Sequence, residues 1–459
     1  LLAVTLSFLT NAPNVWGAQA TADQDTSPQQ NPIQLTPSDQ QDPYAFYASQ
    51  IDNEEARSAQ QSLEDLISVL EGRHGRFSNI LVKPLTLLGD AQFKQNQLTL
   101  ALDSYDQAIH LARLNNGLFS SEQVDIVRRQ AEAYAAIGDP TNAVSREEYA
   151  FRVVMREADD KANLQQVIEA YGRLASRHLE YLNHMAAREV YSQALQFLAA
   201  NGLANSLHAI EFLEGIADTY KAERFPPKLI TTTTEDTSIP PIIRQVGATA
   251  NVDITNQYAT INSYPAGERA LKRAVQLRQT IATRSSRTSD LDQYYADLVQ
   301  LNGTILKLAD WFILFGQARD ATTMYRQIVI NQAALPDGYP SIDLETPTLL
   351  YFPRPRDQRP PSLNDRLAAE NGAVTLGFDV STTGRVRSLK TLEAVPDQKM
   401  VFNVRRCMRE AVFRPVLSDN QLQHADEQTF TYTYQYYPSR KAQQKQRAAE
   451  EAAKAQAAP

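Results

Sequence analysis

The stretch "LALDSYDQAIHLA", Leu100–Ala112, sets Ala101, Tyr105 and Ala108 at offsets of four and seven residues. Such offsets keep three side chains on one helical face, and a small residue there lets a second helix lie close. The trio recurs as Ala187, Tyr191 and Ala194 in "AAREVYSQALQFLA" and as Ala321, Tyr325 and Ile328 in "QARDATTMYRQIVI". A weaker copy starts at Ala143, so the steps from Ala101 to Ala143 to Ala187 are 42 and 44 residues. Turn signals precede the copies: "AAIGDPTNA" sets Gly138 and Pro140 between two helices, and "FILFGQARDA" uses Gly316 in the same way. The chain therefore reads as repeated helical hairpins from about Ala45 to Ala334.

This pattern resembles the tetratricopeptide repeat, whose second helix carries small, aromatic and small residues at these offsets. Earlier positions agree, with Leu88 and Gly89, Leu174 and Ala175, and Leu308 and Ala309 ahead of the three trios. The period exceeds the family's usual one of about 34 residues, which implies longer helices or loops. About five hairpins are expected. The fourth, around "LEGIADTYKAERF", is interrupted by an insertion over 226–265 that is too long for an ordinary connector. The resemblance implies a concave protein-binding surface; the plainer reading is that the helices only support the C-terminal part of the chain.

Beyond the helical block lies a Pro-rich stretch, 335–371, read as an extended interdomain linker, and then a different pattern. Val374, Leu376, Phe378 and Val380 alternate with polar residues, as in a half-buried strand. Ser381 to Gly384 make a turn, and "RVRSLKTLEAV" comes next as a second strand with Val386, Leu389 and Leu392 as candidate inward residues. "DQKMVFNVRRCMREAVF" puts Val401, Val404, Met408, Ala411 and Val412 on one helical stripe, with Arg405, Arg406, Arg409 and Glu410 outside and Asp397 as N-cap. Pro415 stops that helix at or before Arg414. "TFTYTYQY" then alternates Phe430, Tyr432, Tyr434 and Tyr436 against Thr429, Thr431, Thr433 and Gln435, a last strand.

Gly372-x-Val374, Phe378-Asp379-Val380, Gly384-Arg385-Val386, Met408-Arg409 at the end of a helix, and Phe413 ahead of Pro415 together resemble the carboxy-terminal domain of the TonB energy-transducer family, over 372–437. The fold class so implied is multidomain: an all-α, tetratricopeptide-like repeat domain followed by a small α+β TonB-like domain. The resemblance also implies a location in the periplasm of Gram-negative bacteria. There the domain adds an extended partner segment to an exposed strand edge, whose unpaired N–H and C=O groups supply the bonds. On this chain the edge would be Thr429, Phe430, Thr431, Tyr432, Thr433, Tyr434, Gln435 and Tyr436. The tyrosines are candidate partner anchors, and for Phe430 and Tyr434 a cover for the helix is the equal reading. Implied partners are outer-membrane receptors and other envelope proteins, with a homodimer as a further option. A scaffold that transduces no energy is the alternative function. The family's Tyr-Pro motif just before the domain has no clean counterpart, since Tyr339-Pro340 and Phe352-Pro353 lie further upstream.

Composition narrows the rest. The 459 residues are 43% hydrophobic and 21% charged, with a net charge of -8, an ordinary globular balance that argues against general nucleic-acid binding. The apolar run Leu1–Leu9 and the A-x-A pattern Ala18-Gln19-Ala20 predict a signal peptide over 1–20 and export. The run is shorter than the roughly 20 residues a spanning helix needs. The alternative is an inner-membrane anchor with the chain facing the periplasm. A polar leader, 21–44, and an Ala-rich charged tail, 438–459, complete the chain. Cys407 is the single cysteine and reads as a buried hydrophobe. No nucleophile elbow, phosphate loop, dinucleotide fingerprint or metal motif occurs, so no catalytic, cofactor, small-molecule or metal site is expected. His178 and His184 stand six apart and face different ways on a helix, and the pairs Glu147-Glu148 and Asp159-Asp160 read as solvated faces.

Overall fold

The computed structural model describes residues 44–53, 55–156, 163–225, 263–353, 355, 370–396 and 400–436. The expected signal peptide, nearly all of the leader, the insertion up to residue 262, Asp159-Asp160, Asp397 and the tail lie outside them.

Thirteen α-helices are described: α1 (Ala45–Asp52), α2 (Ala56–His74), α3 (Val82–Lys94), α4 (Leu98–Asn116), α5 (Glu122–Ile137), α6 (Pro140–Arg156), α7 (Leu164–Glu180), α8 (His184–Ala200), α9 (Leu207–Arg224), α10 (Ser263–Ser285), α11 (Leu291–Leu314), α12 (Ala318–Ala333) and α13 (Val401–Glu410). Helices α3 to α12 pack in five successive pairs, and each pair packs on the next. Local chemistry sets the ends. Gly138, in the left-handed region at φ +83°, closes α5 while Asp139 N–H bonds the Tyr134 carbonyl, and Pro140 opens α6. Asn183, Ser206 and Asp290 accept backbone N–H bonds at the starts of α8, α9 and α11.

The trios face inward. Ala101, Ala108, Ala187, Ala194, Ala321, Tyr325 and Ile328 are each 0% exposed, and Tyr105 and Tyr191 are buried. The rings need backbone to lie on: a Cβ at Gly89 would come within 2.4 Å of the Tyr105 ring, and one at Gly215 within 2.6 Å of the Tyr191 ring. At the weak copy the aromatic position holds Glu147 instead, 2% exposed between Arg128 (3.9 Å) and Arg173 (3.4 Å). The expectation of a solvated Glu147-Glu148 face is thus corrected for Glu147, because its place in the trio turns it to the neighbouring helices. Ala187→Leu is expected to destabilise the repeat block by about 1–3 kcal/mol through overpacking. An unchanged chemical denaturation curve would show that Ala187 does not seat a helix.

The C-terminal region is β-rich: β1 (Thr348–Tyr351), β2 (Glu370–Val380), β3 (Val386–Val395), β4 (Val412–Arg414), β5 (Val416–Ser418), β6 (Gln421–Gln423) and β7 (Ala425–Tyr436). An antiparallel sheet of order β3-β2-β7 carries α13 on one face, with Val374, Leu376, Phe378, Val380, Val404, Met408 and Tyr434 in one core. The order strand, strand, helix, strand holds, with four short strands besides. The helix ends at Glu410, so Val412 belongs to β4 rather than to the helical stripe. Leu392 is 58% exposed, because the β2–β3 register shifts there: Leu376 faces Thr391 while Thr375 faces Glu393. Arg405 is only half-buried and reaches back to Thr391 Oγ1 (3.0 Å) and the Leu389 carbonyl (3.1 Å) on β3.

The expected linker is no free spacer over its first half. Leu344 is buried, its carbonyl accepts from Leu417 N–H at 2.8 Å, and β1 pairs with β4, Leu349 facing Phe413. The ribbon of β1 and β4 packs against α11, and one apolar cluster runs from Trp311 and Ile313 to Val412 and Leu417.

Candidate functional site

The eight residues expected to form an open edge all lie in β7, the outer strand of the three-stranded sheet, paired with β2 from Tyr436↔Glu370 to Ala425↔Val380. Among the described residues β7 has no second strand partner. Thr429, Thr431 and Thr433 are exposed on the face away from α13, Thr431 touching Thr375 hydroxyl to hydroxyl at 3.1 Å. Phe430 and Tyr432 are half-buried beneath Phe352, whose ring centroid lies 5.0 and 6.0 Å from theirs.

Tyr434 and Tyr436 are buried. The Tyr434 ring lies over Gly372 and its hydroxyl donates to the Val395 carbonyl at 3.2 Å, while the Tyr436 hydroxyl donates to Glu370 Oε2 at 2.5 Å. Of the two readings of these aromatics, core cover therefore describes Tyr434 and Tyr436. Gln435 stands opposite Asn371 in register. Chemically, what the edge offers is backbone: in an antiparallel strand, alternate residues turn N–H and C=O away from the paired neighbour.

The sequence reading missed a second feature, the ion pair that holds the β1–β4 ribbon to the last helices. Arg414 of β4, 8% exposed, donates from Nε to Asp310 Oδ1 at 2.8 Å and from Nη2 to Oδ2 at 2.7 Å. Asp310 lies on α11 and also accepts from the Tyr325 hydroxyl of α12 at 2.8 Å. The first repeat has the same arrangement, in which Asp90 of α3 accepts from Tyr105 of α4 at 2.8 Å and from Arg129 Nε of α5 at 2.8 Å. Both Asp residues precede their Tyr by 15 positions, a repeated offset visible in the sequence. Arg414 thus stands where an arginine of a following helix would stand. Arg326 adds a 2.5 Å bond to the Asn420 carbonyl.

Electrostatics track burial. The Tyr325 hydroxyl is pushed well above its usual range by burial and then by Asp310, and Tyr105 is pushed up in the same way by burial and Asp90. Burial opposes the Arg414 charge, but the bonds to Asp310 outweigh it and leave the guanidinium held more firmly protonated than usual. Burial also raises the Asp90 carboxyl, against the pull of Arg129. A cleft of about 390 Å³ opens beside that pair, lined in part by Ile51, Lys83, Lys94 and Glu132. Among the described residues no group of three or more His, Cys, Asp or Glu could hold a metal, and no helix is long and apolar enough to cross a membrane.

No protein-family model matches the chain, and no curated protein matches it. Solved structures resemble the helical block. BtubC (BKLC) from P. vanneervenii shares 16% identity, covers 65% of this chain and 97% of its own, and superposes with a TM-score of 0.36. The apo form of RapI shares 11% over 65% and 68%, with a TM-score of 0.39. A tetratricopeptide repeat protein from Parabacteroides merdae shares 14% over 64% and 93%, with a TM-score of 0.29. Superpositions this loose add nothing to the helix pairs and trio contacts, on which the repeat architecture rests. The chain is a tetratricopeptide-like repeat protein with a small C-terminal β-rich region.

Proposed function

We propose that the chain is a non-catalytic interaction protein of the bacterial periplasm whose C-terminal region, built like a TonB carboxy-terminal domain, takes up an extended segment of an envelope partner along β7. The observation that carries this reading is the sheet order β3-β2-β7, with β7 at the rim. The strand–strand–helix–strand order and the motif Gly372-x-Val374 through Pro415 support the family resemblance. An outer-membrane receptor is the partner that this resemblance suggests. The second reading, a scaffold without energy transduction, is favoured by the junction at Arg414: the β1–β4 ribbon is fixed to a helical array where a transducer has a long spacer.

A proline scan from Gln428 to Thr433 tests the edge. Alternate residues should respond differently, since one N–H points to β2 and the next to the open side. Proline at open-facing positions should abolish partner capture, by at least about ten-fold in affinity, with little change in melting. Proline at β2-facing positions should lower the melting temperature as well. A photo-crosslinker at exposed Thr433 identifies the partner in cells. Capture that survives every proline would remove β7 as the docking edge.

A further inference from the structure

The stretch from Ser263 to Arg287 carries six basic residues and one acidic one, in a chain whose net charge is -8. Helix α10 occupies 23 of these positions, which makes it about 34 Å long. One side of it, with Ala270, Leu271, Ala274, Val275 and Leu277, is buried. The other side is exposed and carries Arg269, Lys272 and Arg273, then a shallow groove of about 500 Å³ lined by Gln276, Gln279, Thr280, Thr283, Arg284 and Arg287.

The acids near this face are already engaged. Glu268 pairs with Lys272 at 2.6 Å, Asp290 caps α11 through Gln293 N–H, and Asp292 accepts from the Tyr339 hydroxyl. Arg284 and Arg287 have no acidic partner among the described residues. The Thr280 and Thr283 hydroxyls donate to the Gln276 and Gln279 carbonyls at 2.8 and 2.7 Å. The donors facing the groove are therefore guanidinium groups and side-chain amides, which suit carboxylate oxygens.

We infer that the outer face of α10 is a second docking surface, distinct from β7, for an acidic, Asp/Glu-rich peptide segment of a partner protein. Its charge is opposite to that of the rest of the chain, and its lining residues form one strip along the helix. A bilayer is disfavoured because α10 itself exposes no large apolar residue, Leu291 at the start of α11 being the nearest in sequence. Single-stranded nucleic acid is disfavoured because the groove offers no aromatic ring for stacking.

The test is fluorescence anisotropy of a labelled oligo-glutamate peptide with the whole chain. At about 10 mM salt, where the screening length is about 30 Å, the peptide should bind, and binding should weaken steeply by about 0.15 M. Arg284→Glu with Arg287→Glu should raise Kd by about ten-fold or more. Arg57→Glu with Arg319→Glu, the same charge change at exposed sites on α2 and α12, should not. Equal loss in the two double variants would reduce the effect to net charge and overturn the site. Absence of peptide binding at low salt would overturn it too, as would retention on phosphatidylglycerol vesicles without peptide binding.

Discussion

Asp310→Ala is expected to lower stability by about 3–5 kcal/mol, the cost of removing one partner from a buried ion pair. The carboxylate accepts two bonds from Arg414 and one from Tyr325. Without it, a guanidinium whose side chain is 10% exposed keeps its charge in a place water scarcely reaches. Tyr325, 0% exposed, loses its acceptor as well. The loss should be seen in urea denaturation of the intact chain, with early proteolytic release of the C-terminal region. Asp310→Leu combined with Arg414→Met and Tyr325→Phe should recover much of it, because apolar groups of similar size then replace all three members of the buried network. The equivalent change at Asp90 should be milder, since the Arg129 side chain is 40% exposed and water can take over. A cost below about 1 kcal/mol at Asp310 would mean that the ribbon of β1 and β4, rather than the ion pair, holds the junction.

The second large effect is expected at Trp311. Its ring, 2% exposed, lies 4.6 Å from Phe315 in the cluster that joins the last repeats to β4. Trp311→Ala should cost about 3–5 kcal/mol by transfer and cavity terms together. The ring also lies on Gly267 of α10, where a Cβ would stand 2.0 Å from it. Gly267→Ala alone should therefore cost about 1–3 kcal/mol by overpacking, although alanine is the better helix former. With Trp311→Ala already present, the clash is gone and the same change should be neutral or stabilising. A double-mutant cycle on denaturation measures this coupling. Additive effects would show that the ring does not depend on the glycine.

The repeats were legible because their packing is local. A small–aromatic–small face needs only its own helix to declare itself, and Tyr105, Tyr191 and Tyr325 did so. β7 was legible for a similar reason, as strict alternation over Thr429 to Tyr436. The junction was not, because its partners are far apart in the chain. Arg414 finds Asp310 at a separation of 104 residues, and nothing around Phe413-Arg414-Pro415 marks it as a strand. β1 was hidden in the same way, since Thr348–Tyr351 pairs only because β4 arrives beside it. Glu147 was misread through its carboxylate neighbour Glu148, although its offset of four from Ala143 puts it at an inward position. The register shift at Leu392 reversed one expected inward side chain.

The likeness between the two Asp–Tyr–Arg arrangements makes the junction a plug and socket. Each of these two helix pairs ends in a hydroxyl-braced carboxylate, and the next unit supplies a guanidinium whether it is a helix, as at Arg129, or a strand, as at Arg414. The β1–β4 ribbon is thus joined to the array by the fitting that also joins one repeat to another. A pair inserted after α12 with the same Asp and Tyr would present the same socket. The number of repeats, and so the distance from the first helix to the β7 rim, can then change without any change in the sheet itself.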